Sequence, residues 1–299
     1  MSTVDPRPRV VMVGAVPMSA LVAEVPDPRA VIVAIHGGAT SAAYFDCPGH
    51  PRLSLLRKAA SLGYTTIALD RPGYGASALY QDEMAAAERR VELAFGAVDK
   101  IVGSGGRGAG VFLLGHSAGC ELALRMAVDD RRTDVLGVEV AGTGLRYHPD
   151  AKAVLSQATT TRRPAGLRDL LWQPFDFYPP DVLTGALSAP GAAYEVEVTT
   201  NWPRRDFAAT AAMVRVPVEF SVADHESVWD TSPTAVAGIA ALFTASPRVV
   251  VNEVADSGHN LSVGLTADAY HEHVLSFIEE CVLQREEAHE GTDVEVEAG

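Results

Sequence analysis

An α/β architecture, with a mostly parallel central sheet flanked by helices, is what this sequence predicts, and three observations carry the prediction. Short apolar, β-branched runs alternate with longer stretches at helical spacing. Several of the runs stop at glycine-rich turns, where an open parallel sheet places its ligand site. One run, Val111 to Gly115, passes through Gly-x-Ser-x-Gly directly into a helix-forming stretch, Glu121 to Val128.

Taken in order, Val10 to Val13 and Ala20 to Glu24 read as an antiparallel opening around a turn at Gly14 and Pro17. The uninterrupted run Ala30 to Ile35 is a strand buried on both faces, ending in His36-Gly37-Gly38-Ala39. A helix over Leu53 to Leu62 leads to the strand Tyr64 to Leu69, which ends in Asp70-Arg71-Pro72-Gly73-Tyr74-Gly75-Ala76-Ser77. A long helix over Asp82 to Val102 precedes the run into Ser117, and Val135 to Ala141 is the next strand. Regular alternation then stops between Gly142 and Arg215. That stretch is too long for a bare loop and carries its own aromatics, so a mostly helical cap is expected there. Alternation resumes with the strand Val216 to Ala223, a helix over Pro233 to Phe243, the strand Arg248 to Val254 and a helix over Thr266 to Leu283. The expected organisation is a core of residues 1–141 and 216–284, a cap of 142–215, and a disordered acidic tail of 285–299 that lacks the apolar surface to offset its ordering entropy.

Composition narrows the function classes. With 299 residues and 47% hydrophobic content the chain can bury a sizeable core. A net charge of −14 disfavours nucleic acid and anionic membrane surfaces as partners. No stretch approaches the ~20 apolar residues of a membrane span, and the first residues lack a signal core, which together imply a cytoplasmic location. The cysteines, Cys47, Cys120 and Cys281, are too few and too scattered for a disulfide framework or a zinc site, so neither metal nor cofactor is expected.

The chemistry gathers on a few residues. Gly115 and Gly119 leave room for a sharp strand-to-helix turn that exposes the Ser117 hydroxyl, the context of a nucleophile. A serine hydroxyl needs a base within hydrogen-bond reach. His259 lies in the turn between the last strand and the last helix and is the best placed; His36 and His116 sit inside glycine turns and shape them. His271 and His273 lie two apart on a helix, face different directions, and read as solvated. In the cap, Trp172, Phe175, Phe177, Tyr178 and Trp202 either form its own core or line an apolar substrate pocket, for which Trp172 and Phe175 are the candidates. The basic residues Arg162, Arg163 and Arg168 are either solvated or grip an anionic group of the substrate.

In their order and spacing, His36-Gly37-Gly38, Asp70 to Ser77, Gly115-His116-Ser117-Ala118-Gly119 and Gly258-His259 resemble the α/β-hydrolase superfamily from Val10 to Leu283. The resemblance implies an α/β-hydrolase fold whose cap follows the strand after the nucleophile helix. It further implies that Ser117 is the nucleophile, His259 the general base, and Gly38 and Ala118 the N–H donors to an oxyanion, with Ala39 as the neighbouring option. The acid should follow the strand ending at Ala223. There the sequence departs from the usual pattern: Glu226 stands where the family has aspartate, with Asp224 and Asp230 as other candidates. The implied activity is that of a serine hydrolase cleaving a carboxylic ester, lactone or thioester of a small acyl substrate. Carbon–carbon bond hydrolysis, acyl transfer and amide cleavage fit the same residues, and a non-catalytic ligand-binding homologue is the reading from another class. Serine at position 117 argues against the dehalogenase and epoxide hydrolase branches, which require aspartate.

Overall fold

The computed structural model describes residues 4–103, 105–157 and 164–297, with side chains as far as Ala288. Strands β1 (Arg7–Val13) and β2 (Val16–Ala23) form an antiparallel hairpin closed at Gly14 and Ala15, so Pro17 lies within β2 and outside the turn. Then follow β3 (Val31–Ile35), α1 (Leu55–Ser61), β4 (Thr65–Leu69), α2 (Ala87–Val102), β5 (Val111–His116), α3 (Gly119–Ala127) and β6 (Val135–Ala141). The segment between β6 and β7 holds α4 (Pro149–Leu155), α5 (Leu167–Trp172), α6 (Glu195–Asn201) and α7 (Phe207–Ala211). The chain closes with β7 (Val218–Ala223), α8 (Pro233–Ala240), β8 (Val249–Val254) and α9 (Ala267–Glu297).

The eight strands among the described residues form one sheet in the order β1-β2-β4-β3-β5-β6-β7-β8, parallel except for the pairs β1–β2 and β2–β4. Alternation along β3 shows why its strand reads as continuous apolar sequence. Val31, Val33 and Ile35 pack into the core on the side of α2, α3 and α8, while Ile32 and Ala34 pack into the core under α1 and α9. Register aligns the carboxyl ends, pairing Ile35 with both Leu69 and Gly115, Ala141 with Ser221, and Ala223 with Val254. Every motif named in the sequence therefore leaves the sheet at one edge.

The segment between β6 and β7 is fastened to the main body by its aromatics and by charge. Trp202 and Tyr194 join the core on the α2–α3 side, and Tyr178 joins the other. A small cluster of Ala151, Leu170, Val228 and Trp229 packs the segment's first helices onto the loop after β7. Buried Arg90 from α2 donates to Glu121 of α3 at 2.9 Å and stacks over the Tyr194 ring, while Arg125 of α3 reaches Asp206 at 3.3 Å.

One expectation changes. His271 is fully buried, not solvated, and burial pushes its imidazole pKa down to about 3; His273 does lie on a different face and is half-exposed. The backbone of 285–297 continues α9. Arg285 anchors α9 by donating to the carbonyls of Thr133 and Val135, at 3.2 and 3.1 Å, whereas Glu286, Glu287 and Ala288 are exposed. Deleting residues from Glu286 onward is therefore expected to leave the melting temperature unchanged, whereas deletion from Arg285 lowers it; thermal scanning of both truncations separates the two cases.

Beneath α9, Glu139 and Glu219 face each other across β6 and β7, both fully buried. The Tyr270 hydroxyl donates to Glu139 at 2.9 Å, and His273 Nε2 lies 2.9 Å from Glu219 without hydrogen-bond geometry. Burial and the neighbouring Glu219 hold Glu139 well above the usual carboxylate range, and burial with the nearby Glu280 pushes Glu219 up to about 8. A carboxyl with a raised folded pKa stabilises the protein while protonated, and that stability is lost as pH rises through about 8. Glu219→Gln is expected to flatten the fall in melting temperature between the ordinary carboxylate pKa of 4.5 and about pH 8, measured by thermal scanning across that range.

Candidate active site

Ser117 occupies the turn between β5 and α3 with φ 51°, a left-handed conformation that costs a non-glycine residue on the order of 1–3 kcal/mol. The surroundings impose it. The Ser117 N–H donates to Ala141 O at 2.8 Å, and the start of α3 presses on the end of β3. A Cβ on Gly119 would lie 2.3 Å from Ile35 O, and one on Gly115 would lie 2.8 Å from the Ala123 Cβ. Both flanking glycines are thus required by contact.

His259 reaches this turn from the loop after β8. Its Nε2 is 3.1 Å from Ser117 Oγ and its Nδ1 is 2.8 Å from Glu226 Oε2, with the imidazole and the carboxylate both nearly sealed from solvent. Since a carboxylate only accepts, Nδ1 carries the proton and Nε2 is left to accept from the serine. The other Glu226 oxygen accepts from Val228 N at 2.7 Å. The arrangement can take the hydroxyl proton and stabilise the imidazolium that results.

Asp224 stands elsewhere in the same loops. Its two carboxylate oxygens accept from Asp256 N and Ser257 N, at 2.9 and 3.0 Å, fixing the backbone of the turn that carries His259. Asp230 accepts from Ser232 N at 3.1 Å and pairs with Arg146 at 3.3 Å. Glu226 alone among these three meets the imidazole.

His116 Nε2 donates to His259 O at 2.9 Å, and its ring stacks on Tyr44 with centroids 4.6 Å apart. Burial, reinforced by the nearby His259, pushes its pKa down to about 3, so it stays a neutral donor. Opposite, the His36-Gly37-Gly38 loop lies against α3, with the Cβ position of Gly38 3.9 Å from the Ala118 Cβ. The Ala39 N–H is already taken by the Tyr74 hydroxyl at 3.1 Å, which removes the neighbouring option. Among the described residues, the backbone N–H groups of Gly38 and Ala118 meet no backbone acceptor. Ser117, Ala118 and Gly38 are all partly exposed.

The aromatic candidates lie farther out. Phe175 lines a cavity of about 430 Å³ with Gln173, Pro174, His225, Glu226 and Ser227, and Ser117 is not in its lining. Trp172 packs edge-on against Tyr178 at 5.2 Å. Arg168 is engaged within the segment, donating to Leu183 O at 3.2 Å with its guanidinium 5.3 Å from the Phe175 ring; Arg162 and Arg163 lie outside the described residues. Sequence reasoning missed Glu195, whose carboxylate forms an ion pair with fully buried Arg71 beside Gly38. Its partner is 124 positions away, and no local pattern marks it. No helix among the described residues is long and apolar enough to cross a membrane, and no group of three or more His, Cys, Asp or Glu among them could hold a metal ion.

A model of the alpha/beta hydrolase family matches residues 32–272, well over half of the chain. Similar solved structures include E-2-(acetamidomethylene)succinate hydrolase, at 17% identity and TM-score 0.65, covering 92% of this chain and 100% of that one. A mutant of the N-acyl homoserine lactonase AidH, complexed with N-hexanoyl homoserine lactone, matches at 15% identity and TM-score 0.65, covering 92% and 98%. A putative lipase from Acinetobacter baumannii matches at 16% identity and TM-score 0.67, covering 93% of each chain. At these identities the likeness concerns the fold. No curated protein matches the sequence.

The two acid candidates separate in a mutant pair. Glu226→Gln is expected to lower kcat by roughly a hundredfold or more, since it removes the charge that orients and stabilises the histidine. Asp224→Asn is expected to cost less than about tenfold in kcat but to lower Tm by a few degrees, because an amide has one acceptor oxygen for two N–H groups. Steady-state kinetics and thermal scanning on both variants check this; a silent Glu226→Gln beside an inactive Asp224→Asn exchanges the two roles.

Proposed function

The chain belongs to the alpha/beta hydrolase family, and within it we propose a serine hydrolase that cleaves a carboxylic ester, lactone or thioester through an acyl-enzyme. The observation that carries this reading is the continuous chain Glu226–His259–Ser117, at 2.8 and 3.1 Å, ending on a serine held in a strained, partly exposed turn. A ligand-binding homologue without chemistry needs neither the strain nor the alignment.

In the proposed mechanism, Ser117 Oγ attacks the acyl carbonyl as His259 Nε2 removes its proton, and the Glu226 carboxylate holds Nδ1–H and balances the imidazolium charge. The carbonyl oxygen becomes an oxyanion facing the N–H groups of Gly38 and Ala118, with α3 adding its positive N-terminal dipole. Collapse of the intermediate expels the alcohol or thiol, which takes the proton from His259. Water then attacks the acyl-enzyme with the same histidine as base, and the carboxylic acid and free Ser117 result. On this reading residues 1–141 and 216–284 are the catalytic core and 142–215 cap it, with Trp172 and Phe175 as substrate contacts. The structural neighbours include a lactonase and a putative lipase, in keeping with an acyl ester or lactone.

Ser117 is expected to react with a fluorophosphonate at neutral pH and give a single adduct by intact-protein mass spectrometry, absent in Ser117→Ala. Hydrolysis of p-nitrophenyl acyl esters of graded length is expected alongside it. A wild type that neither labels nor hydrolyses any member of the series sinks the enzyme reading.

A further inference from the structure

Three donors converge on one carbonyl oxygen. His36 Nδ1, Arg71 Nη2 and Thr40 Oγ1 lie 2.8, 3.0 and 3.2 Å from Gly37 O. The histidine's role is fixed by its other nitrogen, since Nε2 accepts from Arg71 N at 3.1 Å and Nδ1 must therefore bear the proton. Burial, and then the Arg71 charge, holds His36 well below the usual histidine range, so it remains the neutral donor.

Gly37 O and Gly38 N belong to the same peptide unit. The cis bond identified among the described residues is Gln173–Pro174, and in a trans unit C=O and N–H point in opposite directions. Donors that seize the carbonyl therefore aim the N–H, and a positive charge on the oxygen side makes that N–H a stronger donor. Arg71 brings a full charge in a fully buried side chain, and its Nε has no partner. A buried guanidinium with an orphaned donor is a poor way to stabilise a fold, because its desolvation offsets its pairing. Its geometry serves the loop instead.

The same Nη2 also donates to Glu195, the first residue of α6. Both Glu195 oxygens lie 3.6 Å from the Cβ position of Gly38, so this carboxylate neutralises Arg71 and places negative charge beside the proposed oxyanion site. Tyr74, under the Arg71 guanidinium at 4.7 Å, occupies the Ala39 N–H and leaves Gly38 as the donor in this loop.

From this geometry we infer that Arg71 is a positioning residue of the oxyanion hole, orienting and polarising the Gly37–Gly38 peptide, and that Glu195 tempers it from the segment between β6 and β7. The inference rests on the hydrolase reading, and its test uses a reaction that reports on both. Phosphonylation of wild-type Ser117 establishes the nucleophile. Given that, Arg71→Gln is expected to slow phosphonylation and lower ester kcat by roughly thirtyfold or more while KM stays within about threefold, with Arg71→Lys recovering part of the loss. Glu195→Gln keeps size and an acceptor for Nη2, and by removing the opposing charge it is expected to raise kcat by about threefold or more with KM unchanged. A purely structural ion pair predicts a lower melting temperature for Glu195→Gln and no gain in rate. A folded Arg71→Gln with wild-type phosphonylation and kcat overturns the inference while leaving the hydrolase reading intact. Should Arg71→Gln fail to fold, Glu195→Gln decides alone: a higher kcat supports the inference, and an unchanged or lower one overturns it. A wild type that neither labels nor hydrolyses the esters removes the hydrolase reading and the inference together.

Discussion

The close approach of α3 to the end of β3 is the constraint on which the rest of this structure depends. Gly119 lies where any side chain would strike the carbonyls of Ile35 and His36. That contact brings the serine turn and the His36-Gly37-Gly38 loop to one place at the sheet edge, and it holds Ser117 in the left-handed region. The strain is sustained because strands on both sides of β5 are buried and cannot shift to relieve it.

Around that turn, two loops are held by different means. The loop bearing His259 is fixed from below by the Asp224 carboxylate on two N–H groups and from the side by His116 on the His259 carbonyl. It is also fastened to the segment between β6 and β7, since Asn260 Nδ2 donates to Leu171 O at 2.6 Å and Asn260 N to the Tyr178 hydroxyl at 3.2 Å. The loop bearing Glu226 is closed by its own Val228 N–H, and Trp229 Nε1 ties it to Gly142 O at 2.8 Å. Few of these bonds involve the reacting groups. They limit the freedom of the imidazole, so that its two nitrogens face the serine and the carboxylate at once.

Ionisable side chains buried in this acidic protein are handled in two ways. On the α2–α3 side, Arg90 with Glu121 joins α2 to α3, and Arg71 with Glu195 joins the main body to the segment between β6 and β7; both are near-neutral pairs. On the α9 side, Glu139 and Glu219 face each other with few donors, and burial holds both toward the protonated form. The first arrangement withstands a change of pH; the second makes stability depend on it.

Sequence alone determined the α/β alternation, the strand positions, the serine turn and the histidine loop, because each rests on local periodicity or on glycines at fixed spacing. The runs Val31–Ile35 and Val135–Ala141 are legible since strands buried on both faces favour continuous apolar sequence, interrupted here only by Glu139. Tertiary structure decided the rest. In the sequence Glu226 is favoured over its neighbours Asp224 and Asp230 only by its place in the family pattern, and it is the path of the chain from β8 that brings the imidazole to Glu226 while turning Asp224 toward backbone N–H groups. His271 reads as solvated because helix spacing does not reveal which face of α9 meets α1. The pairing of Arg71 with Glu195 leaves no trace in the sequence, for a contact across 124 positions is set by how the segment between β6 and β7 returns to the sheet edge, and that return depends on packing at Trp202, Tyr194 and Tyr178 more than on any local signal.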